Sequence, residues 1–167
     1  MARMRKSLSD IGPRFVDMAH GIGMAVAATS DVDGRPHSRV MQPVWEWDAT
    51  AQTLTGWAST ATDSPKFADL RRTPHISLTY WNPDQDTCTA DCDVTFLAAD
   101  AAAEREAAWQ RFLSTPPPAG FDPAVHPDWD SPASPTFGVL VLRPTWLRVM
   151  PGTLFTKGEG DLWTWRA

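Results

Sequence analysis

Apolar and polar residues alternate with period two along most of this chain, and helical spacing replaces the alternation in three places. Within residues 5–18, Phe15 and Met18 fall three apart on one face, which predicts a short helix that starts or breaks at Pro13 and lies against a sheet. Residues 23–29 are small and read as a strand, and Asp33-Gly34 suits a tight hairpin turn into a partner strand over 37–47. Along that partner Arg39, Met41, Trp45 and Trp47 share one face while Val40, Val44 and Glu46 share the other, with Pro43 as an interruption. A third strand is predicted over 53–58, followed by a polar loop over 59–63. Ser64 is then a natural N-cap, Pro65 fits the first helical position, and a helix over 65–72 turns Phe67 and Leu70 inward.

The second half continues the meander. Residues 75–81 alternate again, Asn82-Pro83-Asp84 marks a turn, and a long strand is predicted over 88–98. Asp100 caps an Ala-rich helix that reaches Leu113, with Trp109, Phe112 and Leu113 at helical spacing. Residues 114–135 hold seven prolines, too many for regular structure, and predict a surface loop long enough to cover a pocket. Strand character returns over 137–142, breaks at Pro144 and resumes over 146–150. A last hairpin is predicted from 154–156 and 162–165 around Gly158 and Gly160. Six or seven short sequential strands with two or three helices predict a mainly β, antiparallel, small closed barrel, and 167 residues fit a single domain over 1–167.

Composition narrows the function. The net charge is −5 and no Lys/Arg run exceeds the stretch from Arg3 to Lys6, which argues against a nucleic-acid partner. No segment nears the roughly 20 apolar residues needed to cross a bilayer. Behind the basic start, Asp10, Pro13, Arg14, Asp17 and His20 interrupt any signal-peptide centre, so the cytoplasm is the expected location. Cys88 and Cys92 read as two buried thiols. His20, His37, His75 and His126 lack paired ligand spacing, so no metal site is expected, and no nucleophile elbow is present.

The informative constellation is a cationic strand followed, one hairpin later, by hydroxyls and a helix start. Arg39 lies on the second strand, and Ser59, Thr60, Ser64 and Lys66 follow the third; neighbouring strands about 5 Å apart would bring them together. A rigid guanidinium fork, a flexible ammonium, short hydroxyl donors and a helix dipole suit a phosphate monoester. The plainer reading is that Ser64 only caps its helix and that Arg39 and Lys66 are solvated. Pro43 allows either an ordinary edge strand or a bulge whose amides, around residues 40–42, turn toward a flat ligand. Trp57, Trp81, Trp146, Trp163 and Trp165 are candidates for ring stacking, or else core and contact residues.

Three segments in order carry a family likeness: Gly-Arg-Pro-His-Ser-Arg-Val-Met at 34–41, Ser59 to Lys66 ending in Ser-Pro-Lys, and Asp-Leu-Arg-Arg-Thr-Pro-His-Ile-Ser-Leu at 69–78. Over about residues 20–100 the chain resembles the FMN-binding split-barrel family of pyridoxamine 5'-phosphate oxidase-like proteins. The resemblance implies a split barrel that works as a homodimer with FMN between subunits. It implies that Arg39 and Lys66, with Ser59 or Thr60 and Ser64, hold the cofactor phosphate, while Val40, Met41 and Gln42 meet the isoalloxazine ring.

The chain also departs from the family. Oxidases of pyridoxamine phosphate end in a basic segment whose arginine and histidine hold the substrate phosphate. Here Val149 to Phe155 has neither, and only Asp161 to Arg166 resembles the tryptophan-containing tail. The resemblance therefore implies a flavin-dependent oxidoreductase acting on another small molecule, with NAD(P)H as a candidate partner. Two alternatives stay open: a reductase using an 8-hydroxy-5-deazaflavin coenzyme, and a non-catalytic flavin-binding stress protein on the same scaffold.

Overall fold

The alternating segments meet in one nine-stranded sheet that bends round on itself. In the computed structural model, which describes residues 3–167, the strands are β1 (Arg3–Arg5), β2 (Ala25–Ser30), β3 (Pro36–Met41), β4 (Val44–Asp48), β5 (Thr53–Ala61), β6 (His75–Trp81), β7 (Thr87–Phe96), β8 (Phe137–Met150) and β9 (Leu162–Arg166). The helices are α1 (Leu8–Ile22), α2 (Pro65–Arg72), α3 (Ala102–Ser114) and α4 (Gly152–Lys157). The hydrogen-bonded path runs β1-β9-β8-β7-β6-β2-β3, with β5 on β8 and β4 on β5. All pairings are antiparallel except that of β1 with β9.

The 37–47 segment is two strands, not one. β3 pairs with β2, the chain turns at Gln42 and the buried Pro43, and β4 pairs with β5. Proline lacks the N–H that would carry one ladder through this corner, so the ladder changes partner there. The bent stave β3/β4 thereby links the two ends of the array β5-β8-β7-β6-β2 and closes the barrel. Beyond Trp57, β5 bonds only to β8, and β3 bonds only to β2, so the barrel is split between these two edges.

Other boundaries moved for local reasons. Residues 59–61 extend β5 and are not loop, because β8 pairs with them through Ala61. Pro144 does not end β8; the ladder with β7 shifts register between Asp91 and Cys92, a bulge that absorbs the missing donor. Residues 154–156 belong to α4 and not to a hairpin strand, since the chain turns at Gly152, whose N–H donates to Asp86 Oδ1 at 2.7 Å. α3 starts after Ala101 without a side-chain cap, rather than at Asp100.

α1 closes one barrel mouth. Ser7 and Asp10 form a capping box, and the helix passes through Pro13 unbroken to Ile22, longer than the sequence predicts. Ile11, Phe15 and Ala19 sink into the barrel core beside Trp45, Leu78, Tyr80, Leu142 and Leu147. The Phe15 ring meets Trp45 edge-on at 4.9 Å, Trp45 Nε1 donates to Tyr80 Oη at 2.8 Å, and the Trp45 backbone N–H donates to His20 Nε2 at 2.9 Å. Cys88 and Cys92 are buried in the same core, where burial pushes both thiols well above the ordinary thiol range. Among the described residues no helix is long and apolar enough to cross a membrane.

The Pro-rich segment is ordered and covers an apolar face rather than a cavity. Together with α3 it buries Val44, Trp109, Phe112, Trp129, Phe137 and Val139 in a second cluster outside the barrel. The buried Arg105 donates to the carbonyls of Pro132 and Ser134 at 2.9 and 3.0 Å, satisfying backbone that no sheet reaches. Gly23 caps α1 with φ +83°, and a Cβ there would lie 2.6 Å from the Pro118 carbonyl oxygen. Gly34 has a similar φ of +78° but open surroundings. Gly34→Ala should therefore cost only the left-handed strain of roughly 1 kcal/mol, while Gly23→Ala should cost about 2–4 kcal/mol and speed proteolysis within 114–135. Urea unfolding of both variants checks the difference.

Candidate functional site

The split between β3 and β5 gathers most of the polar residues that the sequence singled out. Arg39 points from β3 toward β2, where Nη1 donates to Thr29 Oγ1 at 2.8 Å and approaches the Ala27 carbonyl at 3.4 Å. Across the split, Lys66 on the first turn of α2 donates from Nζ to Thr60 Oγ1 on β5. Thr60 is 3.3 Å from Ser64 Oγ. Arg39 is close enough that its charge, after burial, is a cause of the depressed pKa of Lys66, which falls to about 8.

The local reasons are visible in the chain. Ser64 caps α2: it accepts the Phe67 N–H at 3.3 Å and donates to the Ala61 carbonyl at 2.7 Å. Its hydroxyl is thus spent on the helix start, and it positions Lys66 instead of facing the split as a free donor. Thr60 and Ser59 are consecutive on β5 and so point to opposite faces. Thr60 is buried beside Lys66, whereas Ser59 lies on the side of Trp57 and Ala61, against the second cluster. Met41 is buried in the barrel core, and Gln42 donates from Nε2 to the Pro118 carbonyl at 2.8 Å. Val40 is 65% exposed on the outer sheet face. Of the five tryptophans named above, Trp81 is the exposed one. Trp57 carries the Arg111 guanidinium on its ring at 4.2 Å, and Trp163 lies under Lys6 and Arg14.

Three neighbours of the cations escaped the sequence reading. Asp69, almost wholly buried, takes a hydrogen bond from Thr29 Oγ1 at 3.5 Å and pairs through Oδ1 with Arg72 Nη2 at 3.2 Å. His37 lies between carboxylates, 3.7 Å from Asp31 and 3.9 Å from Asp69. The signals were present. His37 shares a strand face with Arg39, Asp69 sits three residues after Lys66 on one helix face, and Thr29 is the register partner of His37.

The charge balance is uneven. Burial works against the charge of Arg39 and the Asp69 carboxylate works for it, but among the described residues Lys66 bonds to the Thr60 hydroxyl and to no carboxylate. A half-buried ammonium with a hydroxyl partner and a second cation nearby has the chemistry to take an oxyanion. The site is an open groove along the split. A cleft of about 760 Å³ lies elsewhere, between α1, the β6–β7 turn and α4; Trp163 lines it, and Arg39, Thr60, Ser64 and Lys66 do not. On the outer face of the β3–β2–β6 part of the sheet, Val26 (51%), Val40 and Trp81 (56%) leave apolar side chains exposed, as does Met24 (51%) just before β2, and Val26 is the register partner of Val40.

Comparison with known proteins gives the same architecture. The family model described as pyridoxamine 5'-phosphate oxidase matches residues 11–150. No curated protein sequence matches the chain. A pyridoxamine 5'-phosphate oxidase-related, FMN-binding protein from Nostoc punctiforme superposes with a TM-score of 0.61 at 20% identity, covering 87% of this chain and 84% of its own. A protein related to general stress protein 26, from Clostridium acetobutylicum, gives 0.60 at 15% identity, covering 86% and 87%. An F420 reductase gives 0.53 at 17% identity, covering 78% and 93%. At these identities the likeness is one of fold.

The depressed pKa of Lys66 sets a stability window. The unfolded lysine, near 10.5, binds more protons than the folded one between about pH 8 and 10.5, so this group's penalty is full below 8 and disappears as pH rises to 10.5. Lys66→Met should stabilise the ligand-free protein at pH 7 by roughly 1–2 kcal/mol after allowance for solvent screening. The two melting curves should converge toward pH 10.5, and thermal unfolding across that range checks it.

Proposed function

This chain belongs to the pyridoxamine 5'-phosphate oxidase family, and on that footing we propose that it is an FMN-dependent oxidoreductase acting on a small molecule other than pyridoxamine phosphate, in the cytoplasm. The observation that carries the reading is the pair Arg39 and Lys66 facing one groove, with Lys66 held by a hydroxyl and by no carboxylate among the described residues. That donor set fits a phosphate monoester: the fork of Arg39 offers N–H groups beyond the one held by Thr29, and Lys66 supplies a compact charge. The side chains of Val40, Met41 and Gln42 point outward, into the core and to the Pro-rich segment. What they offer a flat ring is therefore the open backbone edge of β3, in the manner of a strand edge that reads a planar ligand.

When bound, the flavin supplies the hydride chemistry, and the protein supplies position and electrostatics. Arg39, Lys66 and Thr60 fix the phosphate end. The Asp69 carboxylate keeps the guanidinium charged, and the polar split tolerates the dianion. Val149 to Phe155 contains no cation to hold a second phosphate, which supports a substrate without one.

The groove runs along the open edge of β3, and Met24, Val26, Val40 and Trp81 are exposed on or next to the outer face of the same part of the sheet. A second copy of the chain packed on this face would cover that apolar surface and wall the ring site, giving a homodimer with two equivalent sites. Dilution that dissociates the apoprotein should then abolish flavin binding, and added FMN should restore the dimer. Analytical ultracentrifugation with and without FMN measures both; a monomer binding FMN with unchanged affinity refutes the shared site.

Cofactor identity is tested by denaturing the purified protein and weighing the released small molecules. FMN is the expected mass. Recovery of an 8-hydroxy-5-deazaflavin coenzyme alone, with no binding of added FMN, assigns the protein to the deazaflavin reductases. FMN binding without turnover of NAD(P)H or any other reductant assigns it to the flavin carriers. Arg39→Ala and Lys66→Ala should each weaken FMN by roughly ten- to hundredfold while leaving riboflavin nearly unchanged.

A further inference from the structure

We propose that Asp69, acting through the Thr29 hydroxyl, is the positioning residue that orients Arg39 toward the bound anion. The proposal rests on the phosphate-site reading given above. Thr29 Oγ1 accepts from Arg39 Nη1 at 2.8 Å and donates to Asp69 Oδ2 at 3.5 Å, so one hydroxyl proton sets the direction of the whole relay. Both Thr29 and Asp69 are almost completely buried, at 3% and 6% exposure, while Arg39 reaches the groove.

A carboxylate beside a phosphate site is paradoxical on charge alone, because it repels the ligand's dianion through a partly dry medium. Its placement answers the paradox. Arg72 holds Oδ1 at 3.2 Å, with His37 3.9 Å from Oδ2, so one oxygen is anchored to its own helix and the other is left toward Thr29. Thr29 in turn ties down one nitrogen of the guanidinium. A guanidinium is planar, so fixing one nitrogen limits the directions available to its remaining N–H groups. Lys66 needs no such relay, because Thr60 and the start of α2 place it from the other side of the split.

The sign of one measurement separates positioning from simple counter-charge. If Asp69 merely balances charge, neutralising it removes a repulsion and phosphate ligands bind more tightly. If it positions Arg39, they bind more weakly although a negative charge has been lost. Wild type, Thr29→Val, Thr29→Ser and Asp69→Asn are titrated with FMN, riboflavin and inorganic phosphate, with thermal unfolding recorded for each. Thr29→Val keeps the β-branched shape and should lose about tenfold in FMN and phosphate affinity with riboflavin unchanged. Thr29→Ser should restore wild-type binding. Asp69→Asn should also bind FMN and phosphate more weakly, and it carries the test if Thr29→Val does not fold.

Unchanged or tighter FMN and phosphate binding by Asp69→Asn overturns the proposal, as does equal loss of FMN and riboflavin in Thr29→Val. A wild-type protein that binds phosphate but neither flavin refutes the flavin reading alone, and the phosphate titrations then decide the role of Asp69. A wild-type protein that binds none of the three refutes both.

Discussion

Everything in this structure depends on the corner at Gln42 and Pro43. A strand that must leave one ladder and join another needs a residue that cannot continue the first, and proline supplies that by lacking an N–H. Because β3 belongs to β2 and β4 belongs to β5, the covalent chain closes the barrel where hydrogen bonds do not. The cost is a pair of strand edges, β3 and the end of β5, that face each other unpaired. Such edges are usually covered or blunted. Here the opening is lined with cations and hydroxyls, and the place where the barrel fails to close is the place where it can hold a ligand.

The same corner explains the electrostatics. Arg39 and Lys66 come from elements separated by the whole β4–β5 hairpin, and they meet only because the split sets β3 opposite the start of α2. One carboxylate, Asp69, serves Arg39 and Arg72 and leaves Lys66 to a hydroxyl. An ammonium held this way is less stable in the empty protein than a solvated one, as its pKa near 8 records. On the function proposed above, the energy given up by the free protein is regained when an anion arrives, a common arrangement at sites selected for binding rather than stability.

The outer cluster has a separate role. β4, β5 and β8 carry apolar residues on both faces, so the barrel core cannot satisfy them alone. α3 and the Pro-rich segment pack over the outer face, with Arg105 satisfying carbonyls that the prolines leave without partners. Gln42 and Gly23 tie this cover to the corner and to the end of α1, so the segment braces the stave that defines the split.

Sequence alone determined the strand faces, the helix at 65–72 with its cap at Ser64 and Pro65, the two buried thiols and the candidacy of Arg39 and Lys66. These rest on periodicity, capping and chemical type, which are local and survive in any arrangement of the elements. Tertiary structure decided what local pattern could not. Whether Pro43 interrupts a strand or divides two depends on which partners flank it, and whether residues 154–156 are strand or helix depends on where the chain must turn past Asp86. That Thr60 and not Ser59 lies beside Lys66 follows from the face of β5, and the placement of Thr29 and Asp69 beside Arg39 follows from the register of one hairpin and the seat of one helix. Period-two alternation says that two residues share a face but not which face lines the core, because that is settled only when the sheet curls and one side becomes the inside.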